Sequence, residues 1–155
     1  MFVSIIVPSY NHAQFLEERI ESILNQDFHN FEVILLDDLS PDNSAEILKK
    51  YQNHPKVSHC IINEKNSGST FYQWNKGIDL AKGELIWIAE SDDVADPHFL
   101  AKLVPKFDQN PNLVLAYSQS YRMNAQGEVT GTWKDCTDSS DAELFTRDFE
   151  LSGLE

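Results

Sequence analysis

Apolar residues in this chain come in two alternating rhythms. Short, nearly unbroken runs occupy residues 3–7 (VSIIV), 31–36 (FEVILL), 57–62 (VSHCII), 84–89 (ELIWIA) and 113–117 (LVLAY). They are rich in β-branched residues, as strands buried on both faces are. Between them the apolar positions recur with helical period: Leu16, Ile20, Ile23 and Leu24; Ala45, Leu48 and Tyr51; Phe71, Trp74, Ile78 and Ala81; then Leu100, Leu103, Val104 and Phe107. Trp74, at helical spacing from Phe71 and Ile78, reads as core. Boundary residues agree with these phases. Asp42 or Ser44 can cap the second helix, a residue in 67–69 the third, and Gly83 can close the third, while Pro97 suits the first turn of the fourth. Strict β-α alternation requires right-handed crossovers and a mostly parallel sheet with helices on both faces. The expected fold is a doubly wound, Rossmann-like α/β domain.

Beyond Tyr117 the rhythm changes. Residues 118–123 and 128–133 flank a turn at 124–127 and read as a hairpin. An acidic Ser/Thr-rich loop over 135–143 and a short helical segment follow. The expected division is a core over 1–117 and a second region over 118–155 that is incomplete at its C-terminus.

Composition narrows the partners. In 155 residues, 41% are hydrophobic, which suits one compact core. Twelve basic against twenty-five acidic residues give a net charge of -13, which opposes adsorption to nucleic acid or anionic lipid. A phosphorylated small molecule remains compatible if a helix N-terminus, a lysine or a divalent cation reverses the sign locally. No run approaches the roughly 20 apolar residues of a membrane span, and no basic, apolar leader precedes the first strand, so a cytoplasmic location is expected. Cys60 and Cys136 form no CxxC pair, and the five histidines have no zinc-type spacing.

In open α/β sheets ligands bind beyond the carboxyl ends of the strands. The first run is followed here by Pro8, Ser9, Tyr10 and Asn11, the second by Asp37 and Asp38, and the fourth by Glu90, Ser91, Asp92 and Asp93. Turn formation explains one acidic cluster, but two adjacent acid pairs ending two apolar strands point to a cation with oxygen ligands. Residues 66–69 (NSGS) open the third helix, where glycine lets backbone approach a ligand and helical N–H groups face it. Lys76 points toward the same crevice or is a solvated surface lysine. Absent signatures count against other classes: no GxGxxG follows the first strand, and there is neither a P-loop nor a GxSxG elbow.

In series, VSIIVPSYN, SILNQDF, FEVILLDDLSPDNS, NSGS and NKGIDLAKGELIWIAESDD resemble the family 2 glycosyltransferases of the GT-A fold, over residues 3–104. The resemblance implies that Pro8 and Tyr10 frame a nucleotide and that Asp38 contacts its base; Ser69 and Lys76, read from the loop and helix above, are placed in the same donor site. The family's DxD motif falls on Glu90-Ser91-Asp92, with Asp92 as ligand of Mn²⁺ or Mg²⁺ and Glu90 where aspartate is usual. It further implies transfer from a nucleotide-diphosphate sugar, with uridine favoured, to a glycan or lipid-linked acceptor with inversion of configuration, and makes 118–155 the start of an acceptor-side region. The general base is expected beyond Glu155, since Asp135, Asp138 and Asp141 are the clustered acids of the tail. Three other readings are a receiver-like domain, a nucleotidyltransferase and a non-catalytic sugar-nucleotide module. In a receiver the acid pair ends the first strand, and a nucleotidyltransferase needs a glycine-rich basic loop that residues 8–12 lack.

Overall fold

A computed structural model describes residues 1–141 and 143–153, and only the backbone of 135 and 140. Four strands form one parallel sheet: β1 (Val3–Ser9), β2 (Phe31–Asp37), β3 (Val57–Ile62) and β4 (Leu85–Ile88), in the order β3-β2-β1-β4. Helices α1 (Ala13–Leu24), α2 (Ser44–Tyr51) and α3 (Thr70–Leu80) make the crossovers, and α4 (Phe99–Gln109) follows β4. Register runs without interruption from Val3 opposite Phe31 to Ser9 opposite Asp37, so β1 and β2 end together. The chain adds β2 and β3 on one side of β1 and then returns to place β4 on the other. Strand order therefore reverses between β1 and β4, where a crevice opens at the carboxyl edge.

Both faces of the sheet are covered. Val3, Ile5 and Val7 pack with Leu16, Ile20 and Ile23 of α1, Leu48 of α2 and Leu100 and Val104 of α4. Ile6, Ile34 and Leu36 point the other way, toward Leu80 and Ala81 at the end of α3. Every residue of β1 and β2 is buried. Each such Ile or Leu is worth about 1.5–3 kcal/mol, so the two central strands anchor the domain.

Capping reflects the sequence in detail. Asp42 Oδ1 accepts from Ser44 N at 3.0 Å and Ser44 Oγ at 2.6 Å, while its Oδ2 accepts from Ala13 N at 2.9 Å. One carboxylate thus serves the first turns of both α1 and α2. Ser69 caps α3 by accepting from Phe71 N. Gly83 lies in the turn from α3 to β4, three residues beyond the helix. A Cβ there would stand 2.5 Å from Ser4 N and 2.7 Å from Phe2 O, so the turn lies flush on the β1 backbone. Ser4 Oγ binds it by accepting from Gly83 N at 2.8 Å.

Four expectations are corrected. The stripe of Phe71, Trp74, Ile78 and Ala81 is not the buried face of α3: Phe71 is 62% and Ile78 47% exposed, and the buried residues are Gln73 and Gly77. The cause is close approach, since a Cβ on Gly77 would lie 2.4 Å from Ile6 Cγ2. Only a narrow face fits against the sheet. Residues 113–117 form no strand; Val114 is 92% exposed, and the segment finds no ladder partner among the described residues. Residues 134–141 are helical rather than a loop, as α5 (Lys134–Asp141), with a Lys134–Asp138 ion pair at i,i+4. Pro97 precedes α4, whose N-cap is His98, and its carbonyl accepts from Asp27 N.

Compact units are Met1–Val114 and a second from Leu115 onward. The second holds an antiparallel hairpin of β5 (Tyr121–Met123) and β6 (Val129–Thr132) around a turn in which Gly127 has φ +79°, followed by α5 and a 3₁₀ turn at Leu144–Thr146.

Candidate functional site

Three loops meet at the carboxyl edge of the sheet. They are 9–12 after β1, 37–42 after β2 and 90–93 after β4, and the start of α3 closes the ring. Together they line a cleft of about 320 Å³. Volumes of this order hold small ligands.

The first two loops are cross-tied. Asp38 N donates to Ser9 O at 2.9 Å, and Asn11 N donates to Ser40 Oγ at 3.0 Å. Asn11 (φ 58°) and Leu39 (φ 59°) adopt the left-handed region without being glycine, which costs on the order of 1 kcal/mol each. Asp37 maintains the second of these bends, because its two carboxylate oxygens accept from Ser40 N and Ser40 Oγ on the far side of Leu39. The first acid of the pair is therefore a loop former, fully buried and not part of the cleft lining.

Asp38, the second acid, is 4% exposed and collects donors. Asn63 Nδ2 (2.6 Å), Ser67 N (2.9 Å) and Gln73 Nε2 (2.9 Å) reach Oδ1; Ser67 N (3.1 Å) and Ser67 Oγ (2.7 Å) reach Oδ2. Asn66 Nδ2 adds a bond to the Asp38 carbonyl. The carboxylate thereby fixes the loop that delivers α3 to the cleft.

At the third loop Glu90 is half-buried and accepts from the indole N–H of Trp74 at 2.7 Å. Burial pushes its carboxyl above the ordinary range; the Trp74 bond opposes this, Asp92 and Asp93 add to it, and Arg19 opposes it. Ser91 is buried, its hydroxyl 2.8 Å from His12 Nδ1, whereas Asp92 and Asp93 are exposed. Beneath this loop sits Arg19 of α1, 2% exposed, its guanidinium 5.1 Å from the Trp87 ring centroid. Burial brings its pKa down to about 10 against the pull of Asp93, Glu90 and Asp92. The loop's far end is anchored by Gln26, whose Nε2 donates to Asp96 O and whose Oε1 accepts from Leu100 N.

Of the residues singled out in the sequence, Pro8, Tyr10, Asp38, Ser69, Glu90 and Ser91 line the cleft together. Lys76 does not; its ammonium donates to Asn63 Oδ1 at 2.6 Å, one bond removed from Asp38. Asp92 does not line it either; it is exposed and follows the cleft-lining Ser91. Ser9, His12 and Gln73 also line the cleft. Ser9 stood in the sequence only as part of the segment after the first run, with no role, and His12, Gln73 and Arg19 had none either, although Arg19 interrupts the apolar stripe of α1 between Leu16 and Ile20, a place where a charged residue needs an explanation.

In the tail, Asp138 is paired with Lys134, and Asp141 Oδ1 accepts from Glu143 N and Leu144 N. The Asp135 side chain lies outside the described residues. No group of three His, Cys, Asp or Glu side chains forms a metal cage among the described residues. Glu90 in the cleft lining and the exposed Asp92 two residues on are nevertheless oxygen donors of the kind that suit Mg²⁺ or Mn²⁺, which take the rest of their ligands from substrate phosphates and water.

A cleft at the carboxyl ends of parallel strands, at the reversal of strand order, defines a ligand-binding domain of the doubly wound α/β class. More narrowly, the chain belongs to glycosyl transferase family 2, whose model matches residues 4–148. It is similar to the glycosyltransferase GlyG of Streptococcus pneumoniae serotype 4, 39% identical over 104 residues, covering 65% of this chain and 33% of that protein. Similarity to the chondroitin synthase of Pasteurella multocida is 30% over 145 residues, 93% of this chain and 15% of that one. Among solved structures, S. aureus TarS 1-349 in complex with UDP-GlcNAc superposes with a TM-score of 0.65 at 27% identity, over 79% of this chain and 40% of that one. The fold is that of the GT-A glycosyltransferases. The chain spans a third or less of the length of the two relatives.

Proposed function

We propose that this chain is the donor-binding part of an inverting, metal-assisted glycosyltransferase that takes a sugar from a nucleotide diphosphate, a UDP-sugar, to a hydroxyl of a glycan or lipid-linked acceptor. The observation that carries this reading is the convergence of Asp38, the start of α3 and the loop 90–93 on one cleft in a family 2 domain. Support for the donor comes from the UDP-GlcNAc held by TarS 1-349, and for a polysaccharide acceptor from the similarity to a chondroitin synthase.

Pro8 and Tyr10 frame the base and ribose, and Asp38 stands at the base end. The first-turn amides of α3, next to Ser69, face the anionic part of the ligand. Asp92, exposed and next in sequence to the cleft-lining Glu90 and Ser91, would hold Mn²⁺ or Mg²⁺. When bound, the cation supplies positive charge where the departing diphosphate gathers negative charge. Arg19 limits the mutual repulsion of the three acids from below. Lys76 acts indirectly, steadying Asn63 and through it Asp38. Asp138 and Asp141 are engaged in the tail, and the general base is assigned to the acceptor side of the enzyme. Among the described residues no helix is long and apolar enough to cross a membrane.

Calorimetric titration of UDP with and without Mn²⁺, on the native chain and on Asp92→Ala, tests the proposal. Binding that strengthens with Mn²⁺ and loses about tenfold of that gain in the variant is expected. Affinity that ignores the metal, or no nucleotide binding at all, overturns it.

A further inference from the structure

We infer that Trp74 is a positioning residue of the donor site: its indole N–H holds the Glu90 carboxylate and, with the adjacent Gln73, makes α3 the brace between the acid that follows β2 and the acid that follows β4. The inference rests on the donor-binding reading above and deepens it.

The bond is direct. Trp74 Nε1 donates to Glu90 Oε1 at 2.7 Å, at the short end of the range for N–H···O bonds, where those that end on a carboxylate fall. Glu90 belongs to the cleft lining and Trp74 does not, so the indole holds the carboxylate from outside the lining. Among the described residues no donor reaches the other oxygen, Oε2, which is left for a ligand.

The helix that carries the indole is itself fixed to the sheet on either side of Trp74. Gln73 Nε2 donates to Asp38 Oδ1 at 2.9 Å, and Gly77 runs so close to β1 that a Cβ there would fall 2.4 Å from Ile6 Cγ2. The indole packs edge-on against Phe71, with ring centroids 4.9 Å apart and planes at 79°. Two consecutive residues of one helix therefore grip acids on the loops after β2 and β4, strands that flank β1 on opposite sides. The stripe of α3 that periodicity marks as core has this different use at Trp74.

An indole suits the task for an electrostatic reason. Glu90, Asp92 and Asp93 crowd one short loop and repel one another, and a glutamate has several rotatable bonds with which to swing away. Arg19 lies beneath them, yet its guanidinium makes no hydrogen bond to Glu90 among the described residues. A lysine or arginine bonded to Glu90 would also cancel the charge that a cation or a ligand hydroxyl is to meet. The indole N–H is neutral and can only donate, so it fixes the direction of the carboxylate and leaves its charge in place. A group already held in its bound position costs a ligand no ordering, and that saving shows as affinity.

The test is calorimetry of UDP in Mn²⁺ on the native chain, Trp74→Phe, Glu90→Asp and the double variant, with thermal unfolding as the control for folding. Trp74→Phe removes the N–H and keeps an aromatic ring; Glu90→Asp keeps the charge and withdraws it by a methylene. Each should weaken UDP by about tenfold, and the double variant should bind within about twofold of either single one, because both changes break the same bond. In a proton–nitrogen correlation spectrum, the Trp74 indole N–H of the native chain should lie downfield, return toward the ordinary position in Glu90→Asp, and shift when UDP and Mg²⁺ are added.

Native affinity in Trp74→Phe, with or without a lower melting temperature, refutes the inference. So does a Glu90→Asp protein that binds as tightly as the native chain, and so do losses that multiply in the double variant. Should Trp74→Phe fail to fold, the spectrum decides, since indole resonances that Glu90→Asp leaves in place refute the bond itself. A native chain that binds UDP while the variants match it leaves the donor-binding reading standing and removes this inference alone. Failure of the native chain to bind any nucleoside diphosphate overturns that reading, and this inference with it.

Discussion

Replacing Asp38 by alanine tests how much of the cleft is held by one carboxylate. Four donor groups lose their acceptor: Asn63 Nδ2, Ser67 N, Ser67 Oγ and Gln73 Nε2. Hydrogen bonds to a charged group are worth about 1.5–3 kcal/mol each, but an exposed donor recovers most of that from water. Asn63 and Ser67 are half-buried and recover a part, while Gln73 is buried and keeps only its bond to Ser67 Oγ. The net loss works out at about 3 kcal/mol, a large share of the roughly 5–15 kcal/mol that holds a domain together. Urea unfolding followed by tryptophan fluorescence reads this as a lower midpoint at unchanged slope. Native-state hydrogen exchange should show the loss concentrated in residues 63–73. A change below about 0.5 kcal/mol, the range of ordinary surface substitutions, would show that the loop stands without Asp38 and refute the reasoning.

Two further substitutions probe other supports. Gly83→Ala forces a methyl against Ser4 N and Phe2 O, backbone atoms that cannot swing aside, and should cost about 1–3 kcal/mol, lowering the melting temperature by several degrees; an unchanged melt would mean the turn is not pressed on β1. Glu90→Gln keeps the acceptor for Trp74 and removes a buried charge. Because the Glu90 carboxyl is raised in the folded protein, the native state binds its proton more readily than the unfolded chain, and stability falls as pH rises from the ordinary 4.5 through the raised value. In chelator, the variant should therefore be more stable than the native protein at pH 8 and about equal to it at pH 4. A variant less stable at pH 8 contradicts that sign.

The parallel core was legible because β1 and β2 are buried on both faces and carry unbroken apolar runs. Acid pairs after β2 and β4 were legible because a strand that ends in two carboxylates is unusual. Apolar periodicity points to the wrong face of α3. Its most apolar stripe faces outward, since Ile6 leaves room only for Gly77, and the position that meets the cleft is a glutamine. Periodicity weighs side chains by hydrophobicity and does not register that a helix can bury its small and polar face. The run 113–117 shows the converse limit, for a short apolar segment becomes a strand only beside another strand. Gln73 and Arg19 escaped because their roles come from what surrounds them: an amide held by Asp38, and a guanidinium placed under acids some seventy residues away.

The carboxylate of Asp42, shared between the first turns of α1 and α2, has a consequence for recombination among relatives. Together with the Ser9–Asp38 and Asn11–Ser40 bonds it makes the loops after the first two strands a single cassette. A graft that imported one of them alone would orphan the amide of Ala13 or Ser44 and unseat a helix. Changes of donor preference on this scaffold should therefore travel as paired exchanges across two distant segments of sequence, or arise at the start of α3, which lines the cleft without touching that shared joint.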